Sequence, residues 1–311
     1  DRRQRQMCIR DRITHALYEH QELIAESRAQ SLIGNKGYNW LFRSSQAFEE
    51  AASEADKLHQ RFNVRHETLN YDELRKLEPG VRGSIAGAIH WPDPLTAIDP
   101  GALVKSYAQR FQELGGTYMQ GDAFTLEQDG NGWRVKTNTG FISARNTVVA
   151  LGPWSAKLTN KLGYRIPLFI KRGYHRHFTN GNKLEMPFLD AERGYVLAPM
   201  AQGIRLTTGV ELAKLDAPAT PIQMERATKS AQELLLLGNA VEQKPWLGNR
   251  PCTSDMLPVL GPAPRHKGLW FNFGHAHQGF TLGPTCGRLM AELIEGRQTF
   301  IETSPYSVER F

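Results

Sequence analysis

The sequence predicts an α/β protein of two interleaved domains, and three stretches carry that prediction. In the first, Asp99 caps a helix with Pro100 at its opening position, and Leu103, Tyr107, Phe111 and Leu114 fall on one face before Gly115-Gly116 ends it. In the second, a strand over Thr117–Leu126 is followed by the turn Asp129-Gly130-Asn131-Gly132. A strand over Trp133–Thr137 comes next, then a turn ending at Gly140 that leads into Phe141 and Ile142. In the third, Thr147–Leu151 is a short apolar run between Arg145-Asn146 and Gly152-Pro153, the pattern of a buried strand in a layered sheet.

Near the carboxyl end a glycine-rich loop enters a helix. Pro284 suits a first helical turn, where a missing N–H costs nothing, and Leu289, Met290, Leu293 and Ile294 form an apolar face that stops at Gly296. Such a start holds free N–H groups and about half a positive charge, which favours an anion. Gly274, Gly279 and Gly283 lack Cβ atoms, so a flat ring could approach the backbone closely.

Two further segments read as the second domain. Residues 37–91 hold a strand at Tyr38–Phe42, a helix at Ala47–Phe62 and a short helix opening at Tyr71 ahead of Glu78-Pro79-Gly80. Residues 165–244 hold strands at Ile166–Ile170, Tyr195–Pro199 and Ile204–Val210, then a helix at Ile222–Leu237. Strands at both ends of the intervening region imply one mixed sheet built from discontinuous chain. Ile13–Ser31 carries an imperfect helical face of Leu17, Leu23, Ile24 and Ala25.

Composition narrows the function. The net charge of +6 arises half from the first twelve residues, DRRQRQMCIRDR, with five Arg and two Asp, and no basic stripe with interleaved aromatics succeeds them. Nucleic acid is therefore not an expected partner. The same twelve residues lack an apolar h-region and read as a leader outside the native fold. No apolar run reaches the length of a membrane span. Cys8, Cys252 and Cys286 are far apart without a CxxC, which argues against a disulfide framework or zinc site and fits reducing, cytoplasmic surroundings. His175 and His177 share a face if their segment is a strand, but a metal would need a third ligand and the sequence supplies none in register. The sequence holds no Ser-His-Asp spacing, P-loop or HExxH.

The block WLGNRPCTSDMLPVLG from Trp246, then NFGHAHQGFT from Asn272, resembles the closing segment of the FAD-dependent D-amino acid oxidase superfamily. The resemblance is closest to the D-amino acid dehydrogenases, small-subunit type, which read WxGxRPxTPDxxPxxG and NxGHxxxGxT. Asp99-Pro100-Gly101-Ala102-Leu103 resembles the family's DPxxL, Val148–Ser155 its VVxAxGxWS, and Lys171-Arg172-Gly173-Tyr174 an altered KGYS turn. The resemblance implies a glutathione-reductase-type FAD-binding fold. Residues 13–36, 92–164 and 245–311 would form the FAD-binding domain, and 37–91 and 165–244 an interleaved substrate-binding domain.

It also implies a chemistry, in which the α-hydrogen of an amino acid passes as hydride to flavin N5 and the imine hydrolyses to a 2-oxo acid and ammonia. The substrate would be a D-amino acid, glycine, or an N-methyl or cyclic amino acid. Arg250 matches the arginine that grips the substrate carboxylate bidentately; an ion pair with Asp255 is its alternative. Tyr195 matches a strand tyrosine aimed at the same carboxylate, against the ordinary fate of core packing. His275 sits beside the flavin ring. Ala150, Gly152 and Trp154, with Gly274, His275, Gln278, Gly279 and Thr281, would hold the cofactor. A quinone or electron-transfer protein would take the electrons, with peripheral contact at the inner face of the bacterial membrane.

One departure is plain: no GxGxxG lies between a strand and a helix, so the pyrophosphate-binding βαβ unit is not in this sequence. The sequence therefore reads as a fragment starting roughly 80 to 90 residues into such a flavoprotein, an interval set by a βαβ unit of about thirty residues and the connecting chain after it. Two alternatives stay open: an oxidase that uses dioxygen, and a non-catalytic subunit.

Overall fold

One long strand organises the molecule. In the computed structural model, which describes residues 15–311, Leu168–Thr179 (β10) runs twelve residues and pairs with β13 (Gly203–Thr208), β14 (Glu211–Leu212), β15 (Asn239–Ala240) and β16 (Trp246–Thr253). The sheet continues through β12 (Tyr195–Met200), β11 (Phe188–Asp190), β2 (Tyr38–Phe42), β4 (Gly87–Trp91) and β3 (Glu67–Leu69), ten strands in all. The pair β2 and β11 is parallel and joins the two distant chain segments, so the expected mixed sheet forms. The leader read from the first twelve residues lies outside the described residues.

Alternation along β10 decides what each face does. Tyr174 and Phe178 point into the main core with Tyr195, Leu197, Leu206 and Leu234. Lys171, Gly173, His175 and His177, one residue out of phase, occupy the opposite face. Helix α6 (Ile222–Leu234) covers the core face with Met224, Ala227, Ala231 and Leu234. Leu235 turns to an extended conformation, so the helix ends there rather than at Leu237, yet Leu235 and Leu237 remain wholly buried.

The second region is layered as its sequence suggests. β9 (Thr147–Val149) pairs in parallel with β18 (Leu269–Phe273), and β18 pairs with β17 (Val259–Pro262) in the opposite sense. β6 (Gly121–Asp129), β7 (Gly132–Thr137) and β8 (Gly140–Ala144) form the meander, and β1 (Ile33–Gly34) pairs with β5 (Thr96–Ala97). Helix α4 (Pro100–Glu113) starts where Asp99 accepts the Ala102 N–H at 2.9 Å. α2 (Ser45–Phe62) is capped by Ser44, α3 (Tyr71–Leu77) carries an Asn70/Glu73 capping box, and α5 (Ser155–Lys161) comes after β9. α1 covers residues 15–26.

The last helix, α7 (Gly279–Ile294), corrects one expectation. It starts five residues before Pro284, which lies inside it. A proline there cannot bond the carbonyl of Phe280, four residues back. A ring nitrogen of His20 on α1, Nε2, takes that place at 3.1 Å, while its Nδ1 meets the Tyr107 hydroxyl at 3.0 Å. Replacing the missing N–H with an imidazole from a neighbouring helix lets the proline sit in the second turn.

Candidate active site

Two glycines make the floor. Gly173 on β10 and Gly248 on β16 are register partners, and each lacks the Cβ that would collide with the side chain lying over it. A Cβ at Gly173 would come within 2.6 Å of Arg250 Cζ, and one at Gly248 would overlap the Trp246 indole. The guanidinium and the indole therefore lie flat on the sheet. With His175 and Thr207 they line a cleft of about 160 Å³, the size class of a small amino acid.

Arg250 donates from Nη1 to the Gly209 carbonyl at 3.1 Å, and none of the ion pairs among the described residues includes it. Burial holds its pKa below the usual arginine value, because a desolvated cation without an anion is the costlier state. Asp255 pairs instead with Arg310 at 2.9 Å, so the alternative partner for Arg250 is engaged elsewhere. Gly173→Ala is expected to push Arg250 off the floor with little loss of stability, because the displaced atoms end a flexible side chain. Carboxylate binding by that variant, measured by calorimetry, should fall at least tenfold.

Tyr195 does not join this group. It pairs with Thr208, whereas the cleft residue Thr207 pairs with Val196, so Tyr195 points to the core face. It is 1% exposed, and its hydroxyl lies 3.4 Å from Arg43 Nη2 and beside Asp190. Burial, then Asp190, pushes its pKa up. The strand tyrosine is one residue out of phase for the role the resemblance implied, and Val196 and Ala198 are the residues of β12 on the cleft face of the sheet.

The residues expected to hold the cofactor gather at one edge. β9 and β18 are parallel neighbours, so 150–154 and 274–278 both leave from carboxyl ends, the side where open α/β sheets place ligands. The Gly152–Trp154 turn packs against β16. Cys252 forms a bridge with His275, and the Ala276 N–H donates to the Pro251 carbonyl at 2.9 Å, which ties the loop to the strand carrying Arg250. Gly152 and Gly274 take left-handed φ values of 54° and 80°. A Cβ on Gly152 would meet nothing within 4 Å, and Ala150, Trp154 and Thr281 are exposed, so the surface is open. Gln278 precedes α7, whose first turn from Gly279 has no side-chain cap and leaves its N–H groups to a ligand. The segment 274–281, open backbone beside an electropositive helix start, fits the ring end of FAD, and Ala150, Gly152 and Trp154 stand at the strand end expected to pass its dinucleotide half. Among the described residues no glycine-rich strand-to-helix turn accompanies them for the pyrophosphate.

His175, His177 and Glu242 lie close enough to suggest a metal, with ligand atoms within 4.8 Å of one another. The hydrogen bonds argue otherwise. Arg205 Nε donates to His177 Nε2 at 2.9 Å, which leaves Nδ1 as the protonated nitrogen facing Glu242 at 2.5 Å. Both nitrogens of His177 are thus engaged, and a guanidinium stands beside the site.

His175 stacks on Trp246 with ring centroids 4.6 Å apart. Burial, then Arg205 and His177, lowers its pKa to about 4. It is neutral at pH 7, so the stability that depends on keeping it neutral is lost as pH falls from about 6.5 to about 4. Glu78, pushed up to about 7 by burial, contributes the opposite slope across the upper part of that range. A histidine titration by NMR should therefore show the His175 ring protonating near pH 4; a midpoint near 6.5 would contradict the stacked, buried placement.

Residues 7–293 match the DAO family, FAD dependent oxidoreductase. The chain is 30% identical to a D-amino-acid oxidase of Bradyrhizobium diazoefficiens over 98% of its own length and 73% of the relative's. It is 31% identical to a D-amino acid dehydrogenase of Cereibacter sphaeroides over 87% of its length and 64% of that protein's. In structure it superposes on glycine oxidase from Geobacillus kaustophilus with a TM-score of 0.79, at 21% identity, covering 97% of this chain and 82% of that one. Parallel strand ends beside an acid-free arginine, and a sequence match across nearly the whole chain, lead to one conclusion: the protein belongs to the FAD-dependent oxidoreductase family DAO.

Proposed function

We propose that this protein oxidatively deaminates an α-amino acid, a D-amino acid or glycine, to the 2-oxo acid and ammonia. Arg250 carries the reading: a half-buried guanidinium outside every ion pair among the described residues, laid on a glycine floor and lining an amino-acid-sized cleft. FAD, when bound, supplies the acceptor for the α-hydrogen and its electron pair. The protein's own residues do the rest.

Arg250 grips the carboxylate with two parallel N–H donors and fixes the substrate's orientation. Trp246 walls the cleft with apolar surface, and Val196 and Ala198 extend that surface on the same face of the sheet. His175, neutral at pH 7, offers a ring nitrogen that can accept an N–H from the substrate amine. Ala150, Gly152, Trp154, Gly274, His275, Gln278, Gly279 and Thr281 would hold the cofactor in a glutathione-reductase-type fold. Residues 37–91 and 165–244 would form the substrate domain, with β16 from the expected FAD-binding part completing its sheet.

A quinone or electron-transfer protein suits the electron acceptor of a dehydrogenase, and dioxygen that of an oxidase. The buried, unbridged thiol of Cys252 accords with a reducing, cytoplasmic setting. Among the described residues no helix is long and apolar enough to cross a membrane.

The reading is tested by ammonia and 2-oxo acid release from the FAD-loaded protein across a panel of D-, L- and N-methyl amino acids. Release from D-amino acids or glycine is expected; turnover of L-isomers alone would overturn the stereochemical assignment. Peroxide accompanying release would favour the oxidase over the dehydrogenase.

A further inference from the structure

Lys171 is the register partner of Arg250 across β10 and β16, so two cations stand directly opposite one another on the cleft face. Like charges so placed destabilise a sheet, and no ion pair among the described residues relieves this one. Lys171 rests its Nζ against Met256 Sδ at 3.7 Å and over the Phe169 ring at 5.5 Å. Arg250 swings the other way, over Gly173 and toward Gly209. The two charges thus part into separate anchor points, and His277 feels both: after burial, Arg250 and Lys171 lower its pKa. Arg205 adds a third cation farther along the same face. The acid beside it, Glu242, is committed to His177.

An α-carboxylate held by Arg250 neutralises one charge and leaves Lys171 unmatched. We infer that the substrate carries a second carboxylate, an aminodicarboxylate class of ligand, with Arg250 taking the α-carboxylate and Lys171 the distal one. This deepens the deamination reading and rests on it for the identity of the reaction, but the charge pattern it uses is a property of the sheet.

Binding of unreactive acids tests it apart from catalysis. Calorimetric titration of the FAD-loaded protein with succinate and propanoate is expected to show succinate at least tenfold tighter, a preference that shrinks as salt is raised. Lys171→Met should erase the preference and leave propanoate unchanged, with a melting temperature no lower than that of the unaltered protein, and Arg250→Ala should lose both acids. Equal binding of the two acids by the unaltered protein, equal weakening of both by Lys171→Met, or full succinate binding by Arg250→Ala would each overturn the inference. A succinate preference without any amino acid oxidation would keep the dicarboxylate site and remove the deamination reading; oxidation of monocarboxylic amino acids without the preference would do the reverse.

Discussion

Arg250→Ala is expected to lower kcat/KM for any amino acid substrate by two to three orders of magnitude while leaving the fold intact. The reason is the state of the cleft without the guanidinium. A carboxylate entering it beside Trp246 and His175 would meet no fork of donors, which costs about 3 to 5 kcal/mol, and every 1.4 kcal/mol is about a factor of ten. The fold should survive because, among the described residues, the Arg250 guanidinium is held by the Gly209 carbonyl alone. Arg250→Lys should recover only part of the loss, since a single ammonium cannot reproduce two parallel bonds. Steady-state kinetics on the three proteins measures the ordering, and unchanged kcat/KM in the alanine variant would remove Arg250 from the site.

Arg172→Leu should have the largest effect on stability, a loss of about 1.5 to 3 kcal/mol. Arg172 is the immediate neighbour of Lys171 and faces the opposite way, 1% exposed. Its guanidinium bonds Glu211 at 2.7 Å and the carbonyls of Ala217 and Pro218 at 2.5 and 2.8 Å. Tyr174 adds its hydroxyl to the same carboxylate at 3.0 Å and receives the Thr220 N–H at 2.8 Å. Leucine would take the guanidinium from the partly exposed Glu211 carboxylate, which keeps Tyr174 and Thr220, and from the Ala217 and Pro218 carbonyls. The Thr220 hydroxyl, and with it Arg172 and Tyr174, holds Glu211 below the usual carboxylate range against the opposing effect of burial. This group therefore stabilises above the ordinary carboxylate pKa, and that contribution is lost as pH falls through the lowered value. Urea denaturation should show a midpoint shift at pH 7 that shrinks in acid. An unshifted midpoint at pH 7 would show that the Arg172 cluster is dispensable.

Much of the fold is legible because local chemistry and tertiary packing agree. Asp99-Pro100 opens α4, Tyr38–Phe42 is β2, and the meander obeys its glycine turns. Where they part, the cause is specific. The run Lys171–His177 is too charged to read as part of a strand, so from sequence β10 stops near Ile170. In the folded protein one face of that run meets the cleft and Arg172 on the other is satisfied by Glu211. Period-two counting through the glycine would have put Lys171, Gly173, His175 and His177 together. Pro284 misled because the partner that excuses it, His20, lies 264 positions away in sequence, across the helix interface.

The site divides in the same manner. Arg250 and the loop from Gly274 were visible because motifs of fixed spacing carry them, and the structure ties the two together through Cys252 and Ala276. Trp246, Gly173, Gly248 and Thr207 were not singled out, since their role exists only once β10 and β16 pair. Tyr195 lies one residue of register from the cleft face, which in a strand is a change of face.

Anaerobic mixing of the FAD-loaded protein with D-amino acids or glycine, monitored by the yellow absorbance of the bound flavin, tests the assignment of amino acid oxidation to the Arg250 cleft most directly. Bleaching by these substrates is expected in the unaltered protein, with near-abolition in Arg250→Ala while the flavin stays bound. A bound flavin that no amino acid bleaches, or one bleached equally well in both proteins, would contradict it.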